Sequence, residues 1–196
     1  MRVSGFLLAA GVAMLASTAL VPAQAQMTGT ATQVSERTVM VGGAPMFPSK
    51  NIIQNAVNSK DHTTLVAAVK AAGLVDTLQG PGPFTVFAPT NAAFDKLPPG
   101  TVTTLLKPEN KAMLTAILTY HVVAGRYTEA ALMNLVQAGH GKAMLQTVQG
   151  EPLTIAMGGG RLWVEGAKGG KAEITVPDVT QSNGVIQVVN AVLLPQ

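Results

Sequence analysis

The sequence predicts an α+β domain, on the basis of where helical and strand patterns fall along the chain. Apolar residues recur at helical spacing through most of residues 49–138, whereas residues 144–194 contain short apolar runs separated by Gly-rich or Asn-Gly turns. Helices followed by antiparallel strands are typical of α+β folds. The chain has 196 residues and no Cys, so its hydrophobic core has to hold it together without disulfides.

Capping residues divide the helical half into separate segments. Ser49 and Asp61 are each predicted to cap a helix, and Thr128 is predicted to cap another that ends before Gly139. A further helix is predicted over residues 108–118. Pro108 suits its first turn, because the N–H groups of that turn have no partner within the helix and the missing N–H of Pro costs nothing. Its buried stripe would consist of Met113, Leu114, Ile117 and Leu118.

Turn residues divide the second half into strands. A hairpin is predicted at residues 158–160, where three successive Gly separate two apolar runs. The predicted strands span residues 144–148, 153–157, 162–165, 174–176 and 185–194.

One short stretch combines a strand, a turn and the start of a helix. Side chains alternate from Phe84 to Ala88 with the period of a buried strand. Pro89 ends that strand because it has no N–H for the ladder. Thr90 or Asn91 is then predicted to cap a short helix that carries Phe94.

Two further motifs follow this stretch. Tyr120 and His121 precede two Val residues, and we expect the pair to open a strand after a buried helix. Near the C terminus, residues 182–195 begin with Ser-Asn-Gly and continue as an apolar strand. The three motifs, in this order and at this spacing, resemble the signatures of the fasciclin-like domain family.

The resemblance covers residues 49–196 and implies helices packed around a wedge of two β-sheets. The family consists mainly of extracellular adhesion and interaction modules, so the resemblance implies a non-catalytic protein that needs no cofactor. The positions that match the two family signatures are Phe84, Thr85, Val86, Phe87, Ala88, Pro89, Thr90, Asn91, Phe94, Asn183, Gly184, Val185, Ile186, Val188 and Leu194.

The chain departs from the family at two positions in the last motif. The family usually has His where this chain has Gln187, and often has Asp where it has Asn190. A role that needs the second His or that acid is therefore not implied for this protein.

The N-terminal residues predict export. Arg2 precedes an apolar run over residues 6–21, and Ala23-Gln24-Ala25 is a small-x-small cleavage motif. We expect the periplasm or the cell exterior as the location, with no membrane span after cleavage. The predicted divisions are a signal peptide over residues 1–25, a flexible N-terminal arm over 26–47 and the fasciclin-like domain over 48–196.

Charge and residue types argue against several other functions. After residue 25 the chain has 12 Lys and Arg (13 minus Arg2) and 10 Asp and Glu, so its net charge is 12 − 10 = +2. Both signs are interspersed, and one Trp with scattered aromatic residues gives no platform for stacked bases, so nucleic-acid binding is not expected. The three His lack metal-ligand spacing, and no Ser lies in a Gly-x-Ser-x-Gly elbow.

Tyr120 and His121 are candidate contact residues because a Tyr-His motif is implicated in adhesion by animal matrix members of the family. The alternative interpretation is structural. In a strand one of the two rings would point inward and need a hydrogen-bond partner. A neutral His121 would then lock the turn near Thr90 and Asn91, and its role in binding would be indirect.

Pro177, Asp178 and Val179 are the second set of candidate contact residues. They match in type a motif with which the same animal proteins bind integrins, but the residues on both sides differ. The alternative is a turn in which Pro fixes φ and Asp caps the backbone.

The sequence therefore predicts a secreted adhesion or interaction module. Its partners would be cell-surface or matrix proteins, polysaccharide, or further copies of itself. The candidate contact regions are the Thr90–Pro99 segment, the Tyr120–His121 strand and the Asp178–Asn183 loop. The alternative function is a periplasmic carrier or sensor of a small apolar ligand, for which the Met residues could line an adaptable pocket.

Overall fold

The computed structural model describes residues 37–196, so the predicted signal peptide and the first part of the predicted arm lie outside the described residues. The described part begins with an antiparallel hairpin of β1 (Val39–Val41) and β2 (Ala44–Met46). Gly42 and Gly43 form its turn with φ of 59° and 74°, which favours Gly because it has no Cβ. Val41 and Met46 are buried against the rest of the domain.

Helices dominate the chain up to residue 138. Several are short, and single 3₁₀ turns at Lys60–His62 and Pro108–Asn110 lead into two of the three ten-residue helices. The helices are α1 (Ile52–Ala56), α2 (Thr63–Ala72), α3 (Val75–Gln79), α4 (Asn91–Phe94), α5 (Thr101–Leu105), α6 (Lys111–Tyr120) and α7 (Glu129–Ala138).

Seven further strands form two sheets that share one long strand. They are β3 (Phe84–Pro89), β4 (Val122–Ala124), β5 (Lys142–Gln146), β6 (Pro152–Gly158), β7 (Arg161–Glu165), β8 (Lys171–Gln181) and β9 (Gly184–Val189), in the spatial order β4-β3-β9-β8-β7-β6-β5. The first residues of β8 pair with β7 and its later residues pair with β9. A bridge between Val123 and Thr147 brings the outer strands together, so the two sheets form a wedge. The α+β fold predicted from the sequence is confirmed.

Two apolar cores lie on opposite faces of the central strands. Val86 and Ala88 of β3 face the first core, which α1, α2 and α6 cover. Phe87 faces the second core, between the two sheets and α7. The strand is therefore buried on both faces, which also fits its parallel pairing with β9.

Some predicted helix boundaries and buried positions are wrong. Asn51, not Ser49, caps α1, because its side chain accepts from the Gln54 amide while the Gln54 side chain accepts from the Asn51 amide. Asp61 lies in the 3₁₀ turn before α2 and does not cap it. Met113 is 58% exposed, so it is not part of the buried stripe of α6.

The segment around Pro177 is not a simple turn but an irregular part of β8. Register shifts with β9 fall between Ile174 and Val176 and between Val176 and Val179. Pro177 lacks a ladder donor and Asp178 has φ of 56°, a conformation that Asp tolerates better than most residues. The sequence signals of a turn are therefore used to make a bulge within a strand.

Candidate functional site

The Tyr-His motif ends a helix, whereas the sequence led us to expect that it opens a strand. Tyr120 is the last residue of α6 and His121 is its C-cap, and β4 begins at the next residue. Successive residues at a helix end point in different directions. Tyr120 therefore enters the second core, while His121 lies beside the first.

Tyr120 is fully buried and both roles of its hydroxyl are filled. The Ala167 amide donates to the Tyr120 hydroxyl at 2.8 Å, and the hydroxyl donates to the Pro152 carbonyl at 3.2 Å. Burial raises the pKa of the Tyr120 phenol. The side chain thus ties α6 to the start of β6 and to the β7–β8 connection, and its ring is not on the surface.

His121 is 2% exposed and is neutral because of its surroundings. The Leu193 amide donates to Nε2 at 3.0 Å, so Nε2 accepts and the proton lies on Nδ1, which donates to the Ile117 carbonyl at 2.8 Å. Burial lowers the pKa of His121 to about 4. The ring locks the last turn of α6 to the C-terminal segment, not to the turn near Thr90.

The second candidate set lies in the bulge of β8. Val179 is fully buried, whereas Pro177 and Asp178 are half-buried. Asp178 Oδ1 accepts from the Glu129 amide at 2.6 Å, in the first turn of α7. A carboxylate at this position accepts from an amide that has no partner within the helix, and its negative charge interacts favourably with the partial positive charge at the helix N terminus. Asp178 thus joins β8 to α7.

Gln187, which stands where the family usually has His, completes this junction. Its Oε1 accepts from the Asp178 amide at 3.1 Å, and its Nε2 donates to Asp178 Oδ1 and to the Tyr127 carbonyl, each at 3.0 Å. The side chain is fully buried. A Gln amide offers an acceptor and two donors, whereas a neutral His offers one of each, so Gln satisfies this network better.

Gln187→Leu is expected to lower the free energy of unfolding by about 3 kcal/mol, because it leaves a buried carbonyl and part of a carboxylate without partners. Gln187→His should cost less, since His replaces some of these bonds. Urea denaturation at neutral pH measures both. The matched control is Gln137→Leu on the exposed side of α7, which should change stability by less than about 0.5 kcal/mol. Equal losses in the two Leu variants would contradict the network.

The signature Asn residues connect segments that are distant in sequence. Asn183 Oδ1 accepts from the Ile52 amide at 3.1 Å, and its Nδ2 donates to the carbonyls of Leu78 and Gly80 at 2.8 Å and 3.0 Å. Asn91 Oδ1 accepts from the Thr64 amide in the first turn of α2. The sequence pattern marked both residues but gave no sign of these long-range bonds.

A small cavity of about 40 Å³ lies in the first core. Its lining is apolar apart from two His, and both nitrogens of His121 are already bonded. His62 is 3% exposed, and its Nδ1 lies 2.9 Å from Ser59 Oγ. The Nε2 atom of His62 is buried and has no hydrogen-bond partner; among the described residues it is the single buried side-chain nitrogen or oxygen of which this is true. Burial lowers the pKa of His62.

Within residues 37–196 no three His, Asp or Glu side chains lie close enough together to hold a metal ion. None of the helices in that range is both long and apolar enough to cross a membrane.

Fold and motifs together define an α+β domain in which the signature side chains hold helices and sheets together. The chain belongs to the Fasciclin domain family, whose sequence profile matches residues 60–195. This membership confirms the resemblance of the three motifs.

Several known proteins are similar to this chain. Proteins sll1735 and sll1483 of Synechocystis sp. are 46% and 45% identical to it, over 74% and 83% of this chain and 97% and 83% of theirs. Immunogenic protein MPB70 of Mycobacterium bovis is 37% identical over 71% of this chain and 66% of its own. Cell surface glycolipoprotein MPB83 of the same species is 38% identical over 71% of this chain and 58% of its own.

The fold is also that of a solved structure, a FAS1 domain pair from the insect cell adhesion molecule Fasciclin I. The TM-score is 0.68 at 22% sequence identity, and the match covers 76% of this chain and 52% of the other. At this identity the likeness shows the shared fold.

Proposed function

We propose that this protein is a secreted, non-catalytic adhesion or interaction module. Its partners are proteins or polysaccharide of a cell surface or extracellular matrix, or further copies of itself. The observation that carries the proposal is membership of the Fasciclin domain family. The proteins similar to this chain include an insect cell adhesion molecule and a mycobacterial cell surface glycolipoprotein. Export to the periplasm or the cell exterior belongs to the same proposal.

The burial of the Tyr-His motif supports an indirect role for it in binding. The hydroxyl of Tyr120 and both nitrogens of His121 are used inside the domain, so neither ring offers a free group to a partner or a substrate. Exposed side chains for direct contact are available in the Thr90–Pro99 segment, where Asp95 and Lys96 are exposed, and at Thr180 in the Asp178–Asn183 loop. Loops held on a rigid scaffold commonly carry such contacts.

A cell-retention assay tests the proposal. Wells coated with the purified protein are expected to retain cells of the producing organism above an unrelated protein of similar charge. Asp95→Ala and Thr180→Ala should lower retention several-fold while leaving the unfolding transition unchanged. Lys168→Ala, also exposed but in the β7–β8 loop, is the matched control. Retention at the level of the unrelated protein would reject the proposal.

A carrier or sensor of a small apolar ligand is the second candidate function, and the cavity beside His62 favours it. The accessible wall of the cavity is apolar, so a water molecule there would lack the two to four partners it needs. Its volume of about 40 Å³ limits the ligand to a few non-hydrogen atoms. Mass spectrometry of gently released small molecules would detect such a ligand, and an empty protein after purification from its own source would count against this function.

A further inference from the structure

The chain has one Trp, and it lies in the sheet of β5, β6, β7 and the first part of β8, on the face turned away from the second core. Trp163 is half-buried, whereas its neighbours Leu162 and Val164 point inward and are buried in the second core. The ring thus adds nothing to that core, although burying a large aromatic ring is strongly stabilising. Its position on an open sheet face calls for another reason.

A hydrogen bond ties the ring of Trp163 to the β6–β7 hairpin. Its Nε1–H donates to the Gly158 carbonyl at 3.3 Å. A Cβ at Gly158 would lie 3.6 Å from the indole, so the ring lies close above this Gly. Across the strand pair, the small side chain of Ala156 stands directly opposite Trp163. The hydrogen bond restrains the ring before any ligand arrives, which reduces the entropy cost of binding.

An open pocket of about 250 Å³ lies at this ring, which we call the Trp163 pocket. Its lining consists of Ala156, Met157, Gly158, Trp163, Glu165 and Lys171. Glu165 and Lys171 are direct cross-strand partners, so a carboxylate and an ammonium group stand side by side at the rim. Among the lining residues these two charges cancel, while Lys142, the ion-pair partner of Glu165, lies outside the lining, so the lining itself favours a neutral ligand.

The Glu165 carboxylate at the rim is only weakly engaged by another side chain. Lys142 is the ion-pair partner of Glu165 at 3.8 Å, but its side chain is 68% exposed, so the pair is weak and easily rearranged. The neighbouring Arg161 and Glu173 bind each other, outside the pocket lining.

We propose that the Trp163 pocket binds a sugar ring of a neutral polysaccharide. The C–H groups on one face of a pyranose carry partial positive charge and match the negative face of an indole ring. Adjacent hydroxyls can donate to the Glu165 carboxylate and accept from Lys171. A cavity of about 150 Å³ holds benzene, so the larger Trp163 pocket has room for a six-membered ring with its hydroxyls. The inference rests on the proposed function, because it names polysaccharide as the partner class.

Fluorescence of the single Trp tests the proposal directly in the unmodified protein. Neutral oligosaccharides of glucose and of N-acetylglucosamine are the probes. At least one series should change the Trp163 emission in a saturable way, with a Kd on the order of 1 mM or tighter, as expected for a ligand that fills one shallow site. No change in emission with either series would overturn the proposal.

Variants locate the site by calorimetry, which does not depend on the Trp. Trp163→Ala should abolish measurable binding, and Glu165→Gln or Lys171→Gln should weaken it about tenfold through loss of a charge-assisted hydrogen bond. Met144→Ala is the matched control, since Met144 is 70% exposed on the adjacent strand β5 but lies outside the pocket lining. Undiminished binding by a folded Trp163→Ala variant, or binding of anionic heparin alone, would overturn the proposal.

The cell-retention assay separates this inference from the proposed function. Free oligosaccharide should release cells from the wild-type protein, and Trp163→Ala should retain fewer cells. If cells are retained and neither free oligosaccharide nor Trp163→Ala lowers retention, the proposed adhesion function stands. The same result would reject the proposal that polysaccharide binds in the Trp163 pocket. A saturable fluorescence response without any cell retention would support the sugar site and reject the adhesion function.

Discussion

Gly184→Ala is expected to lower the free energy of unfolding by about 4 kcal/mol, enough to unfold much of a marginally stable domain. A Cβ at this position would lie 2.1 Å from the Phe84 carbonyl oxygen and 3.1 Å from the Phe84 nitrogen. Both contacts are with backbone, so no side chain can turn away. Relief would require β3 and β9 to separate, and this pair has an apolar core on each face.

Urea denaturation followed by circular dichroism measures this effect. Gly170→Ala is the matched control, because nothing lies within 4 Å of a Cβ there and the residue has no positive φ. The control should change stability by less than about 0.5 kcal/mol. If Gly184→Ala were as stable as Gly170→Ala, the close approach of β9 to Phe84 would be wrong.

Acidification is expected to cost about 3 kcal/mol of stability through His121 alone. Its pKa is about 4 in the fold against an ordinary value of 6.5, so between these values the unfolded chain binds a proton that the folded chain does not. The stabilisation is complete above pH 6.5 and is lost as the pH falls towards 4. The lowered pKa of His62 acts in the same direction. Protonation also removes the acceptor of the Leu193 amide.

Denaturation of wild type and His121→Gln at several pH values between 7.5 and 4 isolates this contribution. The variant should be less stable at pH 7.5 but should lose about 3 kcal/mol less on acidification, because it has no ring to protonate. His140→Asn, at an exposed loop position whose φ of 56° Asn tolerates, is the control for replacing a His. Parallel curves for wild type and His121→Gln would show that His121 does not cause the acid sensitivity.

Parts of the site could be predicted from the sequence and parts could not. The sequence marked Tyr120, His121, Asn183 and Gly184 through their motifs, but the bonds that explain them run to residues such as Leu193 and Leu78. Such partners leave no periodic signal, since only chain folding brings them together. Trp163 gave no signal of a site either, because a single aromatic residue in a strand pattern is equally compatible with the core.

Local sequence determined most of the elements of this protein. Thr90 and Thr128 cap α4 and α7 as predicted, and the three Gly after Met157 make the hairpin between β6 and β7. These features depend on backbone preferences over a few residues, and they need no distant partner.

The tertiary structure decided the conformation where the local sequence allowed more than one. It buried both faces of β3, turned the Pro177 segment into a bulge of β8, and made Tyr120 end a helix. In each case the residue types allow more than one local conformation. The apolar area and hydrogen bonds gained by packing against distant segments outweigh local preferences of a few tenths of a kcal/mol to about 1 kcal/mol, and so select between them.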